Sequence, residues 1–73
     1  MTKYDVHRAV KEFAMRNGKD PKYIYVDDKR FRAVMVERDS CVYIKYQEHA
    51  RPTHFIFGAQ LIRVDEPDHF NIC

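Results

Sequence analysis

Residues 2–18 read TKYDVHRAVKEFAMRNG, and they contain the clearest structural pattern in the chain. Val6, Val10 and Phe13, together with the alanines between and after them, recur at the spacing that places apolar side chains on one face of a helix. The charged residues lie mostly off that face. An apolar helix face of this kind needs a sheet or a second helix to cover it.

Both ends of this helix are marked in the sequence. Thr2 and Asp5 have the spacing of a capping box, with Asp in place of the usual Glu or Gln. Gly18 supplies the left-handed residue that commonly ends a helix, and Pro21 prevents the helix from resuming. We therefore predict an amphipathic helix over Thr2–Asn17.

The strand predictions rest on aromatic and β-branched runs. Tyr23–Val26 shows no alternation with polar residues, which predicts an interior strand buried on both faces. Cys41–Tyr46 predicts a second strand. Residues 54–57 and 60–64 form either a hairpin or one bent strand, because Gly58 breaks the run. Phe70–Ile72 adds a short edge strand.

Residues 28–38 fit two structures. As a helix, the segment has Asp27 or Asp28 as its N-cap, and Phe31 shares an apolar face with Met35. As a strand, the same segment alternates apolar and polar residues from Phe31 onward. We favour the helix, because the cap and the apolar face agree with each other.

These elements predict one α+β domain over residues 1–73, in which a small, mainly antiparallel sheet packs on the N-terminal helix in an αβαββ order. A chain of 73 residues buries only roughly 60% of the surface that it exposes when unfolded. A cleft deep enough to enclose a substrate would remove much of so small a core, which argues against an enzyme.

The motifs of catalysis and of metal or cofactor binding are absent from the sequence. It contains neither the CxxC or HExxH spacing of metal sites nor the glycine-rich loops of phosphate sites. We therefore predict no catalytic residues, no cofactor and no metal site. Cys41 and Cys73 do not form a disulfide framework, and we expect free thiols in a cytoplasmic protein. No apolar run is long enough for a membrane span.

Charge is distributed unevenly along the chain. Residues 1–36 contain nine Lys or Arg and five Asp or Glu, whereas residues 37–73 contain four and six. A basic segment of this kind attracts nucleic acid or an acidic protein surface. If the helices cover only one face of the sheet, aromatic side chains on the other face form a second candidate surface. The aromatic residues considered for that face are Tyr25, Tyr43, Tyr46, Phe55 and Phe57.

Three segments resemble small αβ proteins encoded in tailed-phage genomes and a fragment of the HK97-type capsid chain. They are Asp20–Val26, the segment that begins at Asp28 with Phe31 and Met35 on one face, and Phe57–Asp65 with its aromatic-glycine start and acidic end. The resemblance implies a phage or prophage origin and the same αβαββ order. It supplies no catalytic residues, and the capsid chains are several times longer.

The resulting functional hypothesis is a non-enzymatic, phage-encoded module that binds a host or virion protein in the cytoplasm of a bacterial host cell. The alternative is a nucleic-acid-binding module that uses the same residues, and a homodimer is a further possibility. A membrane partner is not expected. The predicted contact residues are Lys29, Arg30, Arg32, Arg38, Tyr25, Tyr43, Lys45 and Tyr46.

Overall fold

A computed structural model describes residues 2–37, 42–46 and 51–73 of the chain. Within these ranges the elements are α1 (Lys3–Asn17), β1 (Tyr23–Asp27), α2 (Asp28–Met35), β2 (Val42–Lys45), β3 (Thr53–Ile56), β4 (Ala59–Val64) and β5 (Phe70–Ile72).

The α+β class is confirmed. The chain follows the expected αβαββ order and then adds two further strands, because residues 54–64 form a hairpin and residues 70–72 pair with the sheet. The predicted residues Arg38 and Cys41 lie outside the described residues.

The ends of α1 are those that the sequence predicts. The backbone N–H of Thr2 donates to the Asp5 carboxylate at 2.8 Å, and the Asp5 N–H donates to the Thr2 hydroxyl at 3.4 Å, which completes the capping box. Gly18 adopts a φ of 68°, and its N–H donates to the Ala14 carbonyl at 2.9 Å. Thr2 and Asp5 therefore initiate the helix, and Gly18 ends it, as the sequence predicts.

The segment that fitted two structures is a helix. α2 begins directly after β1, and the Asp27 carboxylate caps it by accepting the Arg30 N–H at 2.7 Å. Met35 is its last residue, three residues before the end of the segment considered in the sequence. The segment therefore forms the helix that its N-cap and apolar face predict, and not the strand that its alternating apolar and polar residues would allow.

The five strands form one sheet in the order β2-β3-β4-β1-β5. β1 is parallel to β4 and antiparallel to β5, and the remaining neighbours are antiparallel, so the sheet is mainly antiparallel as predicted. Ile24 lies beside Leu61 on one side and Ile72 on the other. The register places all three side chains on the same face of the sheet.

Both helices cover that same face. Val6 and Val10 of α1 and Val34 of α2 are buried in one apolar cluster with side chains from the sheet. The sheet residues of this core are Ile24, Val26, Ile56, Ala59 and Leu61. Burial of this cluster from two helices and one sheet face supplies the hydrophobic stabilisation of the fold.

The prediction that β1 is buried on both faces is wrong. Ile24 and Val26 face the helices and have no exposed area, but Tyr23 on the opposite face is 40% exposed. The cause is the placement of both helices on one side of the sheet. β1 is nevertheless an interior strand, since it has a hydrogen-bonded neighbour on each side.

A two-residue turn connects β3 and β4. Phe57 and Gly58 both have positive φ angles, of 49° and 82°, as a type I′ hairpin turn requires. Phe57 is an unusual residue for this conformation, and its ring packs against the His7 ring at a centroid distance of 5.0 Å. Phe57 therefore belongs to the helix side of the sheet and not to the opposite face.

Candidate functional site

The predicted contact residues separate into two groups on opposite sides of the sheet. Lys29, Arg30 and Arg32 belong to α2, which covers the core face. Tyr25, Tyr43 and Lys45 alternate with core-facing residues in their strands and therefore point away from the helices. Tyr46 follows β2 and is 75% exposed, whereas Arg38 lies outside the described residues. The structure does not bring the basic helix and the sheet tyrosines together.

Two of the three cations on α2 are paired with carboxylates. Arg30 lies 2.5 Å from the Asp27 carboxylate and 3.8 Å from that of Asp68, and Arg32 lies 2.9 Å from Asp28. The ion pairs reduce the positive charge that this helix presents to a partner. Lys29 is exposed, and no described residue pairs with it. The basic segment seen in the sequence is thus mostly neutralised by neighbouring acids.

Asp27 organises this charged end of α2. Its carboxylate is buried, and it accepts hydrogen bonds from the backbone N–H and guanidinium of Arg30 and from the backbone N–H of His69. Chiefly the Arg30 N–H, and then the Arg30 side chain and the His69 N–H, hold the pKa of Asp27 below its ordinary value. Asp27 therefore links the end of β1, the start of α2 and the approach to β5.

The face of the sheet that the helices leave uncovered carries a set of mostly uncharged side chains. We call it the open sheet face, and the strand register assigns to it Tyr23, Tyr25, Asp27, Tyr43, Lys45, Thr53, Phe55, Gln60, Ile62, Val64 and Asn71. Tyr43 stands opposite Phe55 on the neighbouring strand. Tyr43 is 65% exposed and Tyr23 is 40% exposed.

The two neighbouring tyrosines of β1 reinforce this surface. The ring centroids of Tyr23 and Tyr25 lie 6.2 Å apart on the open sheet face. Tyr25 lies opposite Ile62 on β4 and Asn71 on β5. Four aromatic rings from three strands thus share a face on which Lys45 is the one cation of the set. The Asp27 carboxylate at the end of β1 is occupied by its hydrogen bonds from Arg30 and His69. Tyrosine and phenylalanine are enriched in protein interfaces, and charged residues are depleted from interface cores.

The side chains that commonly ligate metal ions are dispersed in the part of the chain that the structure describes. No group of three or more His, Cys, Asp or Glu side chains there is arranged to hold a metal ion. The His69 imidazole lies 3.3 Å from the Glu66 carboxylate in the acidic turn. Cys73 is an exposed free thiol, and Cys41 and His49 lie outside the described residues.

Comparisons with known proteins leave the site to be interpreted from its own geometry. Neither protein-family models, nor curated proteins, nor solved structures give a match to this chain. Within the described residues, neither helix has the length and apolar character needed to cross a membrane.

The sequence indicated an aromatic surface on the face that the helices leave uncovered, and Tyr25, Tyr43 and Phe55 lie there. It left out Tyr23 and included Phe57, which packs against His7 on the helix side. The missing step was the alternation in β1, where Ile24 and Val26 face one way and Tyr23 and Tyr25 the other. That alternation was hidden because all four side chains are apolar or aromatic. Ile62 and Val64 were missed because β4 has apolar residues on both faces, with Ala59 and Leu61 on the helix side and Ile62 and Val64 on the other.

Proposed function

We propose that this chain is a small, non-enzymatic protein-binding module whose contact surface is the open sheet face. The single observation that supports this proposal is the concentration of four aromatic rings on the face that neither helix covers. Exposed aromatic patches on small domains commonly mark interaction sites. Truncation of tyrosines in such patches is among the changes that weaken protein complexes most.

The character of the face indicates the chemistry of the partner. With Lys45 as its one cation, the open sheet face offers aromatic rings from β1, β2 and β3 on either side of Ile62 and Val64 of the central strand β4. A partner should therefore present an apolar surface with hydrogen-bonding groups at its rim and little net charge. In keeping with the resemblance to tailed-phage proteins, we infer a bacterial host or virion protein, met in the cytoplasm of the host cell.

A nucleic-acid partner is the second candidate. Tyr25 and Tyr43 lie on the same face as Lys45, and aromatic rings on a sheet can stack single-stranded bases while nearby cations contact phosphates. The scarcity of cations on the open sheet face argues against it, since phosphate contacts supply most of the affinity for nucleic acid. The cations of α2 face the other side and are mostly paired.

A capture experiment tests the proposal. The tagged full chain is incubated with bacterial lysate with and without nuclease, and bound proteins are identified by mass spectrometry. We expect a specific protein that is retained after nuclease treatment and whose binding changes little between about 50 and 200 mM salt. Loss of all recovery with nuclease would overturn the proposal in favour of the nucleic-acid module.

A matched pair of tyrosine variants locates the contact surface. Tyr43→Glu introduces a charge into the open sheet face, whereas Tyr4→Glu makes the same change on α1 at a residue of similar exposure, 69% against 65%. We expect capture to be lost in Tyr43→Glu and kept in Tyr4→Glu. Equal capture by both variants, with both chains shown to be folded by circular dichroism, would exclude the open sheet face.

A further inference from the structure

A groove beside α2 has a chemistry different from that of the open sheet face, although Thr53, Gln60 and Ile62 of that face also contribute to its lining. It has a volume of about 510 Å³ and lies where Phe31 of α2 meets strands β3 and β4. Phe31, Pro52 and Leu61 contribute apolar side chains to its lining. Arg51, His54 and Arg63 line the same groove and carry nitrogen groups that hold or can gain positive charge.

No carboxylate is among the described residues that line this groove. The contrast with the cleft at the start of α2 is clear, because that cleft is lined by Asp27, Asp28 and three acidic residues of the turn after β4. The Asp28 carboxylate pairs with Arg63 from outside the lining, but it is shared with Arg32. One carboxylate between Arg63 and Arg32, together with Arg51, which pairs with no described residue, leaves a local excess of positive charge beside the groove. Such an excess favours an anionic ligand.

Arg63 is held in position by two neighbours. Its Nη1 atom donates to the Asp28 carboxylate at 3.2 Å, and its guanidinium carbon lies 5.5 Å from the centre of the Phe31 ring. A guanidinium has five N–H donors in a fixed plane, so the contact with Asp28 leaves others for a ligand. The Asp28 carboxylate is in turn held by an ion pair with Arg32, whose Nε atom lies 2.9 Å away. Arg63 is therefore oriented before any ligand arrives.

The other two nitrogen groups complete the site. The His54 ring meets the Phe31 ring edge-on, at a centroid distance of 5.2 Å and an angle of 80°. Arg51 is exposed, and no described residue pairs with it. Among the described residues, no carboxylate therefore competes with a ligand for the N–H donors of Arg51.

We propose that this groove binds a phosphate group, either free or carried by a small organic molecule. Arg51 and Arg63 would hold the phosphate oxygens through charge-assisted hydrogen bonds, with His54 as a further donor. Two arginines suit the double negative charge of a phosphate monoester. The organic part of a carried phosphate would rest against Phe31 and Pro52. This proposal does not depend on the proposed protein-binding function.

A titration followed by ¹⁵N-resolved NMR tests the phosphate site on the full chain. Inorganic phosphate, adenosine monophosphate and adenosine are added in turn at an ionic strength kept constant with sodium chloride. We expect saturable shifts of the His54 and Arg63 amides with one or both phosphates and none with adenosine. Tighter binding of the nucleotide assigns the site to an organic phosphate, and equal binding assigns it to the free ion.

Three variants complete the test. Arg63→Gln and Arg51→Gln should each weaken phosphate binding about tenfold, because each removes a charged hydrogen-bond donor. Arg8→Gln, an exposed arginine on α1, should leave the affinity unchanged. The absence of saturable shifts with both phosphates, equal shifts with adenosine, or unchanged affinity in both groove variants would overturn the proposal. Since Arg51 is exposed, a failure of Arg63→Gln to fold would not remove the test.

Discussion

At the scale of single residues, Asp27 connects three parts of the chain. It ends β1, caps α2 through the Arg30 N–H at 2.7 Å and accepts the His69 N–H at 3.1 Å. The sequence placed the cap at Asp27 or Asp28, because either carboxylate precedes the apolar face of α2. It could not show the contact with His69, which is 42 residues away in sequence.

Asp27→Asn should reduce stability at neutral pH and reduce its dependence on pH. The folded-state pKa of Asp27 is lowered, so its contribution is present above the pKa of the unfolded chain and is lost as pH falls through the folded-state pKa. Asn still caps the helix but carries no charge. Urea unfolding from neutral pH down to pH ~3 should therefore show the difference between the two proteins shrinking with acid.

The control for this measurement is Asp20→Asn, which changes an exposed carboxylate just before Pro21. We expect its unfolding midpoint to follow that of the original chain throughout the pH range. A pH-independent difference between Asp27→Asn and the original chain would contradict the role assigned to the Asp27 charge.

The hairpin turn is a second position where one residue determines the local backbone. Gly58 has a φ of 82°, and nothing lies within 4 Å of the position that a Cβ atom would take. Gly58→Ala should cost about 1 kcal/mol of unfolding free energy through backbone conformation alone. Gly58→Asn should cost less, because Asn adopts left-handed conformations more readily. Equal losses in the two variants, measured by urea unfolding, would contradict this account.

At the scale of elements, α1 and α2 could be predicted from the sequence because the residues that mark each helix lie close together in the chain. A helix cap and its apolar face lie within a few residues of each other, so both can be found without knowledge of the fold. For α2, the choice between helix and strand was settled correctly by the Asp27 cap and the face that includes Phe31. The strands were found as runs, but their pairing depends on residues far apart in sequence.

The contribution of α1 to stability can be measured with one pair of valine variants. Val6 has no exposed area, whereas Val36 at the end of α2 is 79% exposed. Val6→Ala should lower the unfolding free energy by about 2 kcal/mol, through lost apolar burial and the cavity that remains. Val36→Ala should change it by less than about 0.5 kcal/mol. Similar losses in both would contradict the packing of α1 on the sheet.

At the scale of the whole molecule, the arrangement of the helices determines which surface is free. Both lie on the face that contains Ile24 and Leu61, and this leaves the Tyr25 and Tyr43 face open. The sequence predicted the α+β class and a mainly antiparallel sheet. It could not predict that β4 would pair in parallel with β1, nor that the cations of α2 would face away from the tyrosines. Both facts depend on the strand order, which no local pattern encodes.

The separation of the two faces also allows the two proposals to be tested independently. The phosphate groove involves Arg63 and Phe31 beside α2, whereas the protein contact involves Tyr43 and its neighbours on the open sheet face. Arg63→Gln should therefore leave capture of the protein partner unchanged, and Tyr43→Glu should leave the phosphate titration unchanged.

The proposed contact between the open sheet face and a protein partner can be mapped residue by residue. NMR cross-saturation from the captured, unlabelled partner to the ¹⁵N-labelled chain maps that contact directly. We expect signal loss at the amides of the open-face residues around Tyr25, Tyr43 and Ile62, with the exposed side of α1 around Met15 unaffected. Signal loss confined to α1 or α2, with the open sheet face unaffected, would contradict it.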